Sequence, residues 1–181
     1  VKSRLGILSG ESTELVYNEG SGTKLSELIW SFDNNVMVGA GLSVKFNRWL
    51  KINGDIWVAA SDDSTMDDYD WRAEGYDWTD WSHHGDTELT TGTMFDLNAE
   101  FSFYRPSNLN FFGIAGIKKD NWAWEARGGD YIYSVNSFRD ASGSFPDGEL
   151  GISYEQDLLT PYFGIGLAGG TDSFTFTVRL L

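Results

Sequence analysis

The sequence contains no cysteine, only three prolines and only two histidines. Without cysteine, neither a disulfide nor a cysteine-ligated metal site can form. The apolar runs are a few residues long, well short of the roughly 20 residues that a membrane-spanning helix needs. Basic residues are also scarce, 13 Lys and Arg against 27 Asp and Glu, which gives a net charge of −14. This charge argues against nucleic acid as a partner and favours a basic one.

Glycine and aromatic residues, in contrast, are frequent. The chain has 21 glycines and 15% aromatic residues, a composition that indicates a β-rich fold with many turns. Apolar and polar residues alternate with a period of two in residues 36–46, 50–58, 95–104 and 174–180. Each of these segments is a strand with one apolar and one polar face, because successive side chains on a strand point to opposite sides. Helical spacing appears nowhere with comparable clarity.

The strands and their connections predict a particular architecture. Strands are expected at residues 4–17, 25–46, 49–61, 87–105, 109–133, 148–168 and 173–181. Short connections (47–48, 105–108 and 169–172) alternate with long ones (17–24, 61–88 and 130–148). The polar faces mix small and polar side chains, as the wet lumen of a barrel does. These features favour an all-β, antiparallel, up-and-down transmembrane β-barrel with its apolar faces outward. The alternative is a soluble sandwich or lipocalin-like barrel with its apolar faces inward.

Seven strands are an unusual number for such a barrel. Bacterial single-chain barrels have an even number of strands, and an open seven-stranded sheet exposes two edges to lipid. We therefore expect residues 1–181 to form a single barrel domain that is truncated at its C-terminal end.

Residues 61–88 differ from the rest of the chain in charge. They contain ten acidic residues, one basic residue (Arg72) and both histidines. No apolar period of 2 or 3.6 runs through them, so the stretch is predicted to be a loop or a loop-topped hairpin that faces water.

Six segments of the chain form distinctive motifs. They are Leu-Gly-Ile-Leu-Ser-Gly (5–10), Met-Asp-Asp-Tyr-Asp-Trp (66–71), Trp-Thr-Asp-Trp-Ser-His-His-Gly-Asp-Thr (78–87), Ala-Arg-Gly-Gly-Asp-Tyr-Ile-Tyr-Ser (126–134), Phe-Arg-Asp (138–140) and Gly-Ser-Phe-Pro-Asp-Gly-Glu (143–149). These motifs resemble those of the omptins, a family of outer-membrane proteases of Gram-negative bacteria. The resemblance runs in the same order along nearly the whole chain, with glycine at position 85 where the family has proline.

The resemblance implies a ten-stranded barrel with an acidic cleft at its extracellular mouth. It also implies an endopeptidase that cleaves at basic or dibasic sites with an activated water and no cofactor. The implied location is the bacterial outer membrane, with the active site facing the exterior. The expected partners are basic peptides or proteins and outer-membrane lipid, with no nucleic acid.

Five residues take functional roles by this resemblance. Asp68 and Asp70 correspond to the catalytic Asp pair, Glu14 to a residue that holds the basic side chain of the substrate, and Ser82 and His84 to cleft-lining residues. The pair suits its role, because residues i and i+2 on a strand point to the same side. Two carboxylates so close cannot both ionise easily, so the pKa of one is raised and the pair shares a proton. Such a pair can orient a water and stabilise an oxyanion by a hydrogen bond.

The chain departs from the family pattern in two respects. The Asp-His pair that completes the family's site would lie beyond Leu181, so we expect these 181 residues alone to be inactive. The family also binds lipopolysaccharide through a Tyr, a Glu and two Arg. Those positions are Ile117, Lys119, Asn121 and Asp157 here, so that site is not carried over and lipopolysaccharide dependence stays in doubt.

Ser82 and His84 are close enough in sequence for a Ser-His nucleophile, but no orienting acid is fixed by the spacing, so both keep the cleft-lining role that the resemblance implies. Two alternatives to the protease remain open. The chain is alternatively a non-catalytic barrel that acts as an adhesin or receptor through its acidic, aromatic loops. Finally, several acids and the two histidines of residues 61–88 are candidate ligands for Ca²⁺ or Zn²⁺, although no EF-hand spacing is present and we expect no metal. These ligands would be Asp62, Asp63, Asp67, Asp68, Asp70, His83 and His84.

Overall fold

Ten β-strands make up the regular structure of the described residues. The computed structural model describes residues 1–73, 75, 77–171 and 173–181. The strands are β1 (Lys2–Tyr17), β2 (Lys24–Lys45), β3 (Leu50–Ala59), β4 (Asp63–Asp70), β5 (Asp80–Tyr104), β6 (Leu109–Arg127), β7 (Asp130–Tyr133), β8 (Ala141–Ser144), β9 (Leu150–Thr171) and β10 (Phe174–Leu180). Within the described part of the chain, no helix is long and apolar enough to cross a membrane.

The long strands form one antiparallel sheet in chain order, β1-β2-β3-β5-β6-β9-β10. Strands β3 and β4 are two parts of one long strand, since both pair with β2 on one side and β5 on the other. The short strands β7 and β8 pair with each other, and β7 pairs antiparallel with the N-terminal end of β5. The predicted all-β, up-and-down order of seven long strands is therefore confirmed. The prediction that residues 1–181 are one domain stays a prediction.

Two strand boundaries differ from the sequence-based expectation. Residues 61–88 form a loop-topped hairpin, one of the two predicted alternatives. The strands extend further into this stretch than the predicted 49–61 and 87–105, because β4 and the first part of β5 pair from Asp63↔Glu88 to Asp70↔Asp80. Both faces of this hairpin carry polar residues, so it has no hydrophobic period to detect. The strand predicted at 109–133 ends at Arg127, where Gly128 and Gly129 have φ of 52° and 102°. A Cβ on Gly129 would also collide with the His83 carbonyl oxygen.

The other predicted boundaries agree with the structure to within a few residues. The short connection predicted at 169–172 lies between β9 and β10, and Asp172 is outside the described residues.

The outer face of the sheet is apolar over its lower and middle part. A residue that faces lipid needs no water contact, so large apolar side chains are stable there. On β2 the apolar outward positions begin at Val36, and above them Asp33 and Ser31 take their place. The exposed apolar residues of this band include Val38, Leu42, Val44, Phe46, Ile56, Val58, Phe95, Leu97, Phe101, Phe103, Ile117, Phe163 and Ile165.

The inner face carries an aromatic cluster at mid-height. Trp30 of β2 stacks on Trp124 of β6 and on Tyr154 of β9, with ring centroids 5.8 and 5.5 Å apart. Phe32 of β2 packs edge-on against Trp122 of β6 at 5.0 Å. These strands are not neighbours in the sheet, so the contacts require the sheet to curl around the cluster. Burial of such large rings is a major stabilising contribution.

Below the aromatic cluster, the inner face is polar and its charges are paired. Lys51 and Arg179 both reach the Glu100 carboxylate, at 3.2 and 2.7 Å, and Arg4 pairs with Asp55. Above the cluster, the strands continue beyond the apolar band and end in the hairpins that carry the predicted site residues.

Candidate active site

The β4–β5 hairpin brings the predicted site residues together on its inner face. Asp68 lies opposite Ser82 and Asp70 lies opposite Asp80 in the antiparallel register. On the outer face of β4, the side chains of Asp63, Thr65 and Asp67 are polar, so this part of the hairpin lies above the apolar band. The two catalytic candidates thus share one face of a strand, as their i, i+2 spacing predicts.

The Asp68 carboxyl is the group whose titration is most changed. Burial, and after it the negative charge of Asp70, raise its pKa from 3.8 to about 6. Ser26 Oγ donates a hydrogen bond to Asp68 Oδ1 at 3.2 Å, which opposes this shift, as does the nearby Arg72 charge. A carboxyl with such a pKa is mostly ionised at pH 7 but keeps a minor protonated fraction there, and that fraction can act as an acid or hydrogen-bond donor.

Glu14 lies on the inner side of β1, opposite Leu28 of β2. Its negative charge is a further cause of the raised pKa of Asp68. The structure therefore brings the predicted substrate-holding residue within electrostatic range of the predicted catalytic pair.

Asp80 is a site residue that the sequence reasoning did not select. It is only 1% exposed, and its Oδ1 accepts the backbone N–H of Ser134 at 3.2 Å. Its Oδ2 is buried without a hydrogen-bond partner among the described residues, and the Arg72 Nε atom lies 3.4 Å away. The signal was present in the sequence, since Asp80 lies in the motif at 78–87 and shares the strand parity of Ser82.

Ser82 and His84 are both buried and form a hydrogen-bonded couple. Ser82 Oγ lies 3.1 Å from His84 Nε2, and the imidazole stacks on Phe145 with a centroid distance of 5.5 Å. Burial lowers the pKa of His84, so the ring is neutral at neutral pH. Its Nδ1 atom has no hydrogen-bond partner in the described structure. The Ser-His geometry exists, but no carboxylate orients the histidine as a nucleophile triad requires.

His83 lies on the opposite side of the hairpin. Its Nδ1 is 3.1 Å from Asp67 Oδ1, and its ring stacks on Trp81. The candidate metal ligands are thus divided between two faces. Among the described residues, no group of three or more His, Asp or Glu side chains is arranged to hold a metal ion.

A cavity of about 340 Å³ opens beside Asp68 of the candidate pair. Asp68, Ser82 and His84 line one side, Tyr133 of β7 closes the top, and the start of β9 forms the other side through Ile152. The lining combines polar groups at one end with apolar surface at the other, which suits a site that binds a peptide side chain.

The loops above the site are tied to each other. The Arg139 guanidinium lies 3.2 Å from the centroid of the Trp78 ring and donates to the Trp78 carbonyl at 2.7 Å. Ser134 Oγ donates to the carbonyl of Thr79 at 2.7 Å. These contacts hold the connection after β7 against the end of the β4–β5 loop, which fixes Tyr133 over the cavity.

The fold and the site define a class of protein, a β-barrel of the bacterial outer membrane with an acidic cleft above the lipid band. The model of the omptin family matches residues 1–180, and the chain belongs to that family. The outer membrane protease OmpP of Escherichia coli (strain K12) is 36% identical over 177 residues, which cover 95% of this chain and 56% of OmpP. The plasminogen activator of Yersinia pestis is 34% identical over 171 residues, covering 93% and 53%.

A solved structure shows the same fold. The crystal structure of the outer membrane protease OmpT from Escherichia coli superposes with a TM-score of 0.89 at 33% identity, covering 97% of this chain and 61% of that one. This likeness confirms the predicted barrel fold and the predicted family. The chain spans about half the length of the curated relatives it matches.

Proposed function

We propose that the full-length protein is an outer-membrane endopeptidase that cleaves peptides at basic or dibasic sites, with its cleft facing the exterior. The observation that carries the proposal is the geometry of Asp68 and Asp70 on one face of β4, where the pKa of Asp68 is raised to about 6. This is an acid–base pair at the edge of a cavity large enough for a side chain.

The pair has a defined chemical task in this proposal. The protonated Asp68 carboxyl donates a hydrogen bond to the oxygen that becomes negative when water attacks the scissile carbonyl. The ionised Asp70 carboxylate accepts a hydrogen bond from the substrate or water and keeps the proton on its neighbour. The base that activates the water is, in this proposal, the Asp-His pair that the family resemblance implies. The reaction needs no cofactor besides water.

The substrate preference follows from the charge around the cavity. Asp68 and Glu149 line the cavity. The charges of Asp70 and Glu14 act on Asp68. A guanidinium pairs with carboxylates through two parallel hydrogen bonds. The excess of acid over the whole chain also attracts basic peptides at low salt. Ser82 and His84 line the cavity and hold its shape rather than attack the substrate.

The experiment compares cleavage of a dibasic peptide by the purified full-length protein and by the Asp68→Asn and Asp70→Asn variants. We expect each variant to lose at least about a hundredfold in kcat/KM, the usual scale for a missing acid or oxyanion donor. Asp157→Asn is the matched control, because Asp157 is 56% exposed on the outer wall and far from the cavity. Full activity in both cleft variants would exclude this mechanism and favour an adhesin or receptor.

We also propose that activity does not depend on lipopolysaccharide bound at the family's usual positions. On the outer wall, the Lys119 ammonium lies 3.6 Å from the Asp157 carboxylate, which also accepts a hydrogen bond from Asn121 at 2.8 Å. Lys119 and Asn121 thus both contact the Asp157 carboxylate, so among the described residues at these positions no cation without a partner faces a lipid phosphate. Addition of lipopolysaccharide to the lipid-free enzyme should leave kcat/KM unchanged, and a strong activation would contradict the proposal.

A further inference from the structure

Arg72 is the one basic residue of the acidic stretch at 61–88, and its guanidinium lies beside Asp70 and Asp80 with the side chain 63% exposed. We propose that Arg72 determines specificity by competing with the basic side chain of the substrate for Asp70 and Asp80. This inference rests on the proposed function, because it concerns which side chains that cleft accepts.

The backbone of Arg72 is fixed at the top of the hairpin. Its N–H donates to Thr79 Oγ1 at 3.0 Å, and the Thr79 N–H and hydroxyl both donate to the Asp70 carbonyl, at 2.7 and 3.0 Å. The side chain therefore starts two residues after Asp70 and reaches back over the cleft.

The side chain of Arg72 is held loosely between two acids. Its Nη2 atom lies 3.5 Å from Asp70 Oδ2, and its Nε atom lies 3.4 Å from Asp80 Oδ2. Both distances exceed the 2.7–2.9 Å or so of a strong charge-assisted hydrogen bond. The side chain is 63% exposed, and its guanidinium carbon lies 5.8 Å from the centroid of the Tyr133 ring. Displacement of this side chain into water is consequently inexpensive.

Asp80 is the carboxylate for which Arg72 and the basic side chain of the substrate would compete. Its buried Oδ2 atom accepts no hydrogen bond from the described residues and has only the Arg72 Nε atom nearby at 3.4 Å, although buried carboxylate oxygens are normally paired. A substrate guanidinium or ammonium that enters the cleft could supply that bond. The Arg72 Nε atom already lies beside the same oxygen. The basic side chain of the substrate must therefore displace Arg72, and the two positive charges repel each other until Arg72 has moved away.

The consequence concerns selectivity. A basic side chain gains the Asp70 and Asp80 contacts only after it has removed Arg72, whereas a neutral side chain leaves Arg72 in place. The cleft should therefore prefer basic residues less strongly than its number of acids suggests, and removal of Arg72 should sharpen that preference.

The test uses full-length protein and two readouts, equilibrium binding of a non-cleavable dibasic peptide and the kinetics of its cleavable form. We expect Arg72→Gln to lower the Kd and the KM about three- to fivefold, the scale of a partly exposed charge interaction. The gain should be smaller for a peptide that has alanine in place of one basic residue. Arg72→Lys, which keeps the charge, should stay close to the wild-type values.

The control is Lys119→Gln, which removes the same charge from the exposed outer wall. An equal gain in this variant would assign the effect to net charge and overturn the role of Arg72, as would an unchanged or weaker Kd in Arg72→Gln. The two readouts also separate this inference from the proposed function. A wild-type protein that binds the peptide without cleaving it would refute the protease, while the Kd of Arg72→Gln would still decide the competition.

Discussion

The lower lumen and the upper cleft of this barrel treat their acidic residues in opposite ways. In the lower lumen Glu100 has two cations, and Asp55 has Arg4. In the upper cleft Asp68 accepts a hydrogen bond from the Ser26 hydroxyl, and Asp70 and Asp80 share one loosely placed cation, Arg72, at 3.5 and 3.4 Å. A paired acid stabilises the fold, whereas an unpaired one is free for a proton or a substrate cation. The aromatic cluster around Trp30 separates the two regions.

The largest effect is expected where the cluster joins the two regions. Trp30 is fully buried and contacts strands on the opposite side of the lumen, so Trp30→Ala should lower the free energy of unfolding by about 3–5 kcal/mol. Urea unfolding in detergent or lipid vesicles measures this change. Tyr17→Ala, which truncates a half-exposed aromatic residue at the end of β1, should change it by less than about 1 kcal/mol. An equal fall in the free energy of unfolding in the two variants would contradict the stabilising role of the aromatic cluster.

Loss of a paired acid in the lower lumen should have the next largest effect. Glu100→Gln leaves Lys51 and Arg179 without their carboxylate, and its side chain is only 8% exposed. We expect the free energy of unfolding to fall by about 2 kcal/mol, less than for a fully buried pair because both cations are partly exposed. The comparison is Asp157→Asn on the outer wall, where the Lys119 pair is exposed and the loss should stay within about 0.5 kcal/mol.

Loss of the unpaired acid should act in the opposite direction and depend on pH. The pKa of Asp68 is raised in the folded state, so this carboxyl binds its proton more tightly when folded. Its contribution to stability is greatest below about pH 4 and falls as the pH rises towards 6. Asp68→Asn removes this pH-dependent loss. The change in the free energy of unfolding caused by the substitution should therefore be about 1 kcal/mol more stabilising at pH 7 than at pH 4. A difference that does not vary with pH would contradict the raised pKa.

The smallest effect is expected from the one hydrogen bond that Asp68 does receive. The Ser26 hydroxyl lowers the pKa of Asp68, so Ser26→Ala should move the corresponding inflection in the pH profile of kcat/KM to higher pH, by less than about one unit. Ser31→Ala is a suitable control, since Ser31 lies on the same strand and faces outward. An inflection that moves to lower pH would mean that the hydroxyl does not stabilise the ionised carboxylate.

The sequence predicted the membrane-facing part of the fold well, because lipid demands apolar residues on one face of every strand. Residues 36–46 and 95–104 alternate for this reason, and both lie within predicted strands. Strand β4 was missed because water lies on one side of it and the polar cleft on the other, so neither face needs apolar residues. The aromatic cluster was also missed, since a polar lumen was expected and Trp30, Trp122 and Trp124 point into it.

Some residues of the candidate site could be identified from their spacing in the sequence, whereas others join the site only through the pairing of strands. Asp68 and Asp70 share a face because they are two residues apart, which the sequence states directly. Asp80 and Arg72 become part of the same cluster only through the antiparallel register of β4 and β5, which places Asp80 opposite Asp70. Tyr133 comes from a strand some 50 residues further along that no period in the sequence predicted as a separate element.

In the proposed function, Asp68 and Asp70 of the upper cleft take part in catalysis, whereas Glu100 and Asp55 of the lower lumen stabilise the fold. The most direct measurement is kcat/KM for a dibasic peptide, set beside the free energy of unfolding, for Asp68→Asn and Glu100→Gln in the full-length protein. The predicted result is a loss of at least about a hundredfold in kcat/KM for Asp68→Asn without loss of stability, and near-normal kcat/KM for Glu100→Gln with reduced stability. Wild-type kcat/KM in a folded Asp68→Asn variant would contradict the account.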